Sequence, residues 1–386
     1  MMMNSRSMTK IFLSLAWLLA LPGLLFAQNA TQKLESDIQA LMEEYHAVGL
    51  SVAVVKDGEL FYKKAFGLQD LETGAPLKEN HVFRIASISK SFTSTAIMQL
   101  VEAGILDLDA DFGDMVGFPI RNPNFPDEVI TLRMVLSHTS SINDSEGYFV
   151  LDAIDPSKNP DWANAYNDYA PGTKYQYCNL NFNMAGAVLE RYTNTRFDEL
   201  IPEKILHPLG LYGGYNVNNL DPSLFASIYE YNAETNTHRV QPNAYHPRRE
   251  ELKEYTLGYS APIFSPTGGM KISVPDLAEY MAMHMNYGTH KGVQIISEAS
   301  AREMQKPAIA DSKYGLALTN TSNYIPGEEL VGHTGSAYGL FSQMFFHPEK
   351  KFGIVVITNG CQRSYDDGYI ALLKKSANLL YDELIR

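Results

Sequence analysis

The stretch "RIASISKSF", residues 84–92, places a serine and a lysine three positions apart, at Ser87 and Lys90. If this stretch starts a helix, the two side chains lie one turn apart and the amine can reach the serine oxygen. The unpaired N–H groups of a helix start favour a developing negative charge there. A lysine takes up the serine proton only if burial or a neighbour lowers its pKa. The spacing therefore suggests a nucleophile with its base.

The same four residues also have a purely structural interpretation. Serine often caps a helix, and a lysine one turn later is often solvated. The pattern S-x-x-K also occurs at Ser7–Lys10. The surrounding sequence must therefore decide between the two interpretations.

A second candidate motif is Y-x-N, formed by Tyr177 and Asn179 in "PGTKYQYCNLNF". A phenol is a poor base at its ordinary pKa, but a nearby ammonium can hold it as phenolate. The amide two residues later can orient a substrate carbonyl. Tyr192 and Asn194 match the same pattern, so this motif is weak when taken alone.

A third motif is His333, Thr334 and Gly335 in "LVGHTGSAYGLFS", expected on a strand. A glycine there lets a substrate backbone lie against the strand edge. The N–H of Ser336 could then pair with that of Ser87 as an oxyanion hole. A β-bulge before a turn is the alternative interpretation.

Composition narrows the class of protein. The 386 residues are 45% apolar and 19% charged, which is typical of a soluble globular chain. A formal net charge of −13 makes nucleic acid or anionic lipid a poor partner. The only cysteines, Cys178 and Cys361, exclude a disulfide scaffold. The two cysteines could form one disulfide, but we expect two free thiols.

Residues 1–27 have the features of a secretory signal: two basic residues, an apolar run broken near its end by Pro22-Gly23, and Ala27. We expect cleavage after Ala27, which leaves residues 28–386 as an exported, periplasmic or secreted bacterial protein without a membrane anchor. An uncleaved anchor is the alternative, but the run is short for a membrane span.

Two hairpins and three helices should position these motifs. The β-rich runs "GLSVAVV" and "LFYKKAFG" flank a turn at Lys56–Glu59, and "GLFSQMFFHPEKKFGIVVITNG" turns at Pro348–Lys351. Apolar periodicity predicts helices at Lys33–Tyr45, Ile88–Ala103 and about Ser364–Ile385.

These elements predict an α+β fold. An antiparallel sheet is built from both chain ends, about residues 31–80 and 328–386, and is flanked by the terminal helices. A mostly helical part, about residues 81–327, is inserted between them. We expect the chemistry in the cleft between the two parts.

Taken in order, the three motifs resemble the serine β-lactamase and penicillin-recognising family. The closest resemblance is to its class C and D-alanyl-D-alanine carboxypeptidase/esterase branch. The segments "LRMVLSHTSSI", "ILHPLGL" and "PTGGMKISVPDLAEYM" are similar to recurring segments of that family. The resemblance extends over nearly the whole mature chain.

The resemblance implies a mechanism through an acyl-enzyme. Ser87 would be the acylated nucleophile, and Lys90 and Tyr177 would share its proton, with the kinetic base left open. Asn179 would hold the acyl side chain, and the N–H groups of Ser87 and Ser336 would stabilise the oxyanion. His333, Thr334 and Gly335 would line the opposite wall. No metal or cofactor is expected, and the substrate would be a small molecule or peptide of possible cell-wall origin.

The sequence departs from the family's β-lactamases at His333, where a lysine is usual. A histidine is mostly neutral near neutral pH. It also occurs in members that resemble esterases and D-aminopeptidases, so we expect ester or amide hydrolysis with weak or absent β-lactam turnover. Arg363, after the last sheet strand, is a hypothetical replacement for the missing charge.

Three further residues call for an interpretation. Cys178 replaces the usual small residue of the tyrosine motif and is expected to be a buried side chain rather than a nucleophile. Ser141 replaces a glycine, and His138 is expected to be structural.

Other classes of function fit less well. A zinc hydrolase is disfavoured because H-E-x-x-H is absent, and an α/β-hydrolase because G-x-S-x-G is absent. A periplasmic penicillin- or muropeptide-binding or sensor protein without turnover remains the alternative. Specificity would lie in the loops Asn143–Asp168 and Tyr212–Tyr259.

Overall fold

The computed structural model describes residues 31–386, so the predicted signal at residues 1–27 lies outside the described part. The helices are α1 (residues 31–44), α2 (Ser89–Glu102), α3 (Phe112–Val116), α4 (Leu132–Leu136), α5 (Asn179–Thr193), α6 (Phe197–Ile201), α7 (Val274–Met285), α8 (Glu298–Gln305) and α9 (Ala371–Leu384). The strands are β1 (Gly49–Lys56), β2 (Glu59–Asp70), β3 (Ala75–Pro76), β4 (Val82–Arg84), β5 (Gly213–Gly214), β6 (Tyr229–Asn232), β7 (Thr237–Val240), β8 (Lys271–Ser273), β9 (Thr289–His290), β10 (Val293–Gln294), β11 (Thr319–Thr321), β12 (Leu330–Ala337), β13 (Leu340–His347), β14 (Phe352–Thr358), β15 (Tyr365–Asp366) and β16 (Tyr369–Ile370).

The main sheet has seven antiparallel strands in the order β11-β12-β13-β14-β1-β2-β3. Its centre joins the two ends of the chain, because β1 pairs with β14 and places Leu50 opposite Thr358. Both predicted hairpins are present. The first turns through Asp57 and Gly58, which both have positive φ. The predicted α+β fold is confirmed.

The alternation of side chains along the strands buries both faces of this sheet. Val52 and Val54 pack in a cluster with residues of α1 and α9, including Ile38 and Leu373. Val55 and Ala53 on the other face pack in a second cluster with residues of α7, α2 and α5. This second face carries the candidate site.

The last helix begins later than predicted, at Ala371 rather than near Ser364. Strands β15 and β16 form a small hairpin in between, and its turn residues Asp367 and Gly368 have positive φ. Asp-Gly is a strong turn signal, and its local preference outweighs the helical periodicity at this point.

Within residues 31–386, no helix combines the length and the apolar character needed to cross a membrane. Cys178 and Cys361 are both buried and both free, as favoured from the sequence.

Candidate active site

Ser87 lies in a single 3₁₀ turn, Ala86–Ile88, that leads directly into α2. The prediction placed it in the first turn of the α-helix, but α2 begins two residues later, at Ser89. Ala86 has a φ of +47°, a conformation that an alanine rarely adopts. The Ser89 hydroxyl donates to the Ala86 carbonyl at 2.6 Å and holds the turn. Ser87 is half-buried, so the residue remains partly accessible to a substrate.

Strand β12 passes directly against this turn at Gly335. A Cβ atom on Gly335 would lie 2.3 Å from the Ile85 carbonyl oxygen and 2.3 Å from Ser342 Oγ. Ser342 Oγ in turn donates to the same Ile85 oxygen at 2.8 Å. From the sequence, the space at this glycine is expected to accept a substrate backbone. The structure fills it with the chain that precedes Ser87, which brings Ser336 to the same part of the site.

Lys90 is buried and has three hydrogen-bond partners. Its Nζ donates to Ser87 Oγ at 3.2 Å, to Asn179 Oδ1 at 2.9 Å and to the Thr267 carbonyl at 2.9 Å. Burial lowers the lysine pKa to about 7, although the Asp144 carboxylate offsets part of the effect. A large fraction of the amine is therefore neutral near pH 7 and able to accept the Ser87 proton.

Tyr177 lies beside the same lysine, whose Nζ is 4.7 Å from the centre of the phenol ring. The hydroxyl is buried without a well-formed hydrogen bond to the described residues, although the Ser87 side chain lies near enough to affect its pKa. Burial raises the tyrosine pKa far above its ordinary value, and the Ser87 side chain offsets only part of the rise. The phenolate considered from the sequence is therefore not the form that this environment favours. Tyr177 is a neutral phenol, suited to donating a proton.

Asp144 is a site residue that the sequence analysis did not single out. Its carboxylate accepts hydrogen bonds at 2.9 Å from the backbone N–H groups of Asn179 and Leu180 and from Asn179 Nδ2. It thereby caps α5 from 35 residues upstream, because the local cap position, Cys178, has no side-chain cap bond. A cap this distant leaves no local pattern in the sequence.

This cap sets the orientation of the Asn179 amide. With Nδ2 directed at Asp144, Oδ1 accepts from Lys90 Nζ and also from Thr267 Oγ1, both at 2.9 Å. In this structure Asn179 therefore positions the lysine. The role implied by the family resemblance, holding the acyl side chain, is not tested by these contacts.

His333 is buried, with only 5% of its surface exposed. Its Nδ1 donates to the Thr334 carbonyl at 2.5 Å, so Nε2 accepts from the Tyr314 hydroxyl at 2.8 Å. Burial, together with the charge of Lys90, lowers the histidine pKa to about 3. His333 is therefore neutral, as expected from the sequence, and Tyr314 is a second partner that the sequence analysis did not identify.

Cys178 and His138 occupy structural positions. The cysteine is fully buried, and burial raises its pKa well above the ordinary value. His138 Nδ1 accepts from the Cys178 backbone N–H at 3.1 Å, and the imidazole packs 4.3 Å from the Tyr177 ring. The imidazole thus holds the segment that carries Tyr177.

Arg363 lies away from His333. It is exposed, and its guanidinium lies over the Phe341 ring at 5.6 Å. Phe341 packs in the cluster beneath α1 and α9, whereas its neighbour Ser342 faces the turn that carries Ser87. Arg363 is thus on the other face of the sheet, and its position does not support the idea that it replaces the missing lysine charge.

No group of three or more His, Cys, Asp or Glu side chains in the described part of the chain is arranged to hold a metal ion.

The fold and the site define a class: α+β proteins in which a serine at a helix start is paired with a buried lysine. The sequence profile of the family described as Beta-lactamase matches residues 34–377. The chain belongs to this family, whose members are serine hydrolases.

Individual relatives are distant. "Protein flp" of Staphylococcus aureus (strain MRSA252) is 25% identical over 353 residues, covering 86% of this chain and 63% of that protein. This chain thus spans less than two thirds of that relative's length. "Penicillin-binding protein 4" of Amycolatopsis lactamdurans is 27% identical, covering 83% of each chain. The solved octameric penicillin-binding protein homologue from Pyrococcus abyssi is 28% identical, with a TM-score of 0.71 over 91% of this chain and 77% of its own.

Proposed function

We propose that this protein hydrolyses ester or amide bonds through an acyl-enzyme on Ser87, as an esterase or a D-amino-acid peptidase or carboxypeptidase. The observation that carries the proposal is the contact between Lys90 Nζ and Ser87 Oγ at 3.2 Å, with a lysine pKa of about 7. A binding protein has no need of a buried amine poised to remove a serine proton. This pairing favours turnover over the non-catalytic alternative.

Acylation begins with proton transfer from Ser87 to the neutral amine of Lys90. The serine oxygen forms a bond to the substrate carbonyl carbon, and the carbonyl oxygen becomes an oxyanion. The backbone N–H groups of Ser87 and Ser336 are the candidate donors to that oxyanion. The start of α2 at Ser89, directly after the turn of Ser87, adds the positive end of the helix dipole.

Collapse of the tetrahedral intermediate breaks the bond to the leaving alcohol or amine, which needs a proton. Tyr177 is the candidate donor because its phenol is neutral and the Lys90 ammonium lies beside its ring. The proton that Lys90 took from Ser87 then restores the phenol. In deacylation the neutral amine takes a proton from water, and the hydroxide adds to the acyl carbon. Collapse of this second intermediate breaks the ester bond to Ser87, whose oxygen takes the proton back from the Lys90 ammonium, and the acid product is released.

The substrate is proposed to be a small ester or a short peptide or amide, of possible cell-wall origin. His333 is neutral, so the third motif lacks the fixed cation of the family's β-lactamases, and β-lactam turnover is expected to be weak.

We also propose that the protein is exported after cleavage behind Ala27. Sequencing the N-terminus of protein from the periplasm or the medium tests this: a start at Gln28 supports export, and an intact N-terminus contradicts it.

The test of function is the intact mass of the purified mature chain after reaction with a fluorophosphonate. We expect one adduct on the wild type and none on Ser87→Ala, with both proteins shown to be folded by circular dichroism. A Lys90→Met variant should label much more slowly, because Ser87 then loses its base. A folded wild type that takes up no adduct would favour a binding or sensor protein.

A further inference from the structure

A small recess lies next to the turn that carries Ser87, and three cations line it. Its inner part has a volume of about 30 Å³ and is lined by Arg84, Lys271 and Arg248. It continues into an outer chamber of about 460 Å³, where Phe149 and Tyr338 form part of the wall. The inner part thus has room for one water-sized or carboxylate-sized group.

The positive charge in this recess is not balanced from within. Among the described residues, no Asp or Glu lines the inner part. Lys271 is only 4% exposed, and its Nζ donates to the Tyr215 carbonyl at 2.6 Å. Arg84 Nε is buried without a hydrogen-bond partner among the described residues. Glu251 pairs with Arg248 at 3.0 Å, but it lies in the outer chamber.

Two of these cations face each other in the backbone pairing. Arg84 of β4 is the direct register partner of Lys271 of β8, and like charges in that position destabilise a sheet. Burial lowers the pKa of both side chains, and the charges of Arg84 and Arg248 lower that of Lys271 well below its ordinary value, so the Lys271 amine is held as the ammonium only when an anion lies beside it. An arrangement that costs folding free energy in this way is most readily explained by a ligand that supplies the opposite charge.

The recess lies at one end of the candidate active site. Along β12, Gly335 contacts the chain ahead of Ser87, and His333 lies toward Tyr177. In the other direction, the ring of Tyr338 lies 5.3 Å from the Arg84 guanidinium. Arg84 is itself three residues before Ser87. A substrate bound at Ser87 can therefore extend past Ser336 into the recess, away from His333.

We propose that the recess of Arg84, Lys271 and Arg248 is a subsite that binds a carboxylate on the acyl portion of the substrate. A planar carboxylate fits the guanidinium and ammonium donors and supplies the negative charge that the recess lacks. Its walls come from both loops assigned to specificity, Asn143–Asp168 and Tyr212–Tyr259. The inference deepens the proposed function and rests on it for the direction of the acyl chain.

The kinetic test uses paired 4-nitrophenyl esters of glutaric, adipic and pimelic acids. In each pair the distal carboxylate is either free or capped as a methyl ester. For the arm of best length, the wild type should have a higher kcat/KM on the free acid than on the capped ester. The ratio should fall by about tenfold in Lys271→Met, because one charged partner is lost. It should not fall in Lys306→Met, which removes an exposed lysine outside the recess.

A binding test needs no turnover. Calorimetry with adipate should give a dissociation constant about tenfold weaker for Lys271→Met than for the wild type or Lys306→Met. If Lys271→Met does not fold, Arg248→Met replaces it, since Arg248 is only half-buried. An unchanged ester ratio together with unchanged adipate binding would overturn the subsite.

The two proposals fail in distinguishable ways. If the capped esters are hydrolysed and neither the ester ratio nor adipate binding depends on the recess cations, the proposed serine hydrolase is supported and the subsite is contradicted. If adipate binding depends on Lys271 but neither ester is hydrolysed, the carboxylate subsite is supported and the proposed hydrolase function is contradicted.

Discussion

The Asp144 carboxylate accepts hydrogen bonds from both the backbone N–H and the side-chain amide of Asn179, each at 2.9 Å. One acidic residue thus caps α5 and turns the asparagine oxygen toward Lys90. The same carboxylate acts on the lysine through space, because its negative charge raises the Lys90 pKa against the effect of burial. Asp144 is therefore a positioning residue for the candidate base.

Replacing this residue should change the pH profile as well as the rate. In Asp144→Asn the Lys90 pKa falls below its wild-type value of about 7, so the acid limb of kcat/KM moves to lower pH. We expect kcat/KM at its plateau to fall at least about tenfold, because Asn179 loses its fixed orientation. The free energy of unfolding should fall by about 1 kcal/mol, because an amide has one acceptor oxygen where the carboxylate accepts three hydrogen bonds with two. Asp161→Asn, the same change at an exposed position, is the control. A lower rate with an unmoved limb would mean that Asp144 is merely structural.

The activity of the wild type should depend on pH through Lys90. The neutral amine becomes more abundant as pH rises through about 7, so kcat/KM for 4-nitrophenyl acetate should rise and level off above about 8. His333, with a pKa of about 3, does not titrate in that window, and His333→Gln should keep the limb. A flat profile between pH 5 and 9 would contradict Lys90 as the base.

The same shift makes a prediction for stability. Between pH 7 and 10.5 the unfolded chain holds a proton on Lys90 that the folded chain has lost. The free energy of unfolding therefore gains a term that increases with pH across this window and is lost as pH falls toward 7. Urea titrations at several pH values should show a smaller increase in Lys90→Met than in the wild type. Parallel curves for the two proteins would contradict the lowered pKa.

The variant Tyr177→Phe tests whether Tyr177 donates a proton during catalysis without contributing to the stability of the fold. The hydroxyl is buried and has no well-formed hydrogen bond to the described residues, so its loss should leave the free energy of unfolding unchanged or raise it by up to about 1 kcal/mol. The kcat should fall while the limb near pH 7 remains, because Lys90 is still the base. Tyr175→Phe, a change of the same kind on a partly exposed neighbour, is the control. Loss of the limb in Tyr177→Phe would instead identify the tyrosine as the base.

Gly335→Ala tests the contact between β12 and the turn of Ser87. The added Cβ would lie 2.3 Å from the Ile85 oxygen, so the turn must move; we expect a loss of about 1–3 kcal/mol in the free energy of unfolding and slow fluorophosphonate labelling. Gly268→Ala adds the same methyl group with its nearest contact at 3.7 Å and should be far milder. Equal melting temperatures for the two variants would show that the contact is not tight.

Nitrocefin turnover should be weak in the wild type. The neutral His333, whose Nδ1 proton is used by the Thr334 carbonyl, offers no fixed cation to a β-lactam carboxylate. We expect kcat/KM for nitrocefin to be well below that for 4-nitrophenyl acetate. A rate equal to that of a dedicated β-lactamase, measured under the same conditions, would contradict this reading of the third motif.

Features that depend on residues close together in the chain could be predicted from the sequence. Alternation and the Asp57-Gly58 turn predicted the first hairpin, and the spacing of Ser87 and Lys90 predicted that their side chains meet. The late start of α9 had a readable cause as well, since Asp367-Gly368 carries the same turn signal. The order of the three motifs pointed to the family that the profile match establishes.

Features that depend on distant contacts emerged only from the folded chain. Asp144 and Tyr314 act on Asn179 and His333 across gaps in sequence that no local pattern records. The pKa of Lys90 is set by how completely the fold removes water from its amine. Local propensities and spacing thus specified which groups could react, whereas burial and long-range hydrogen bonds decided their protonation and orientation, because both depend on every segment that packs around the site.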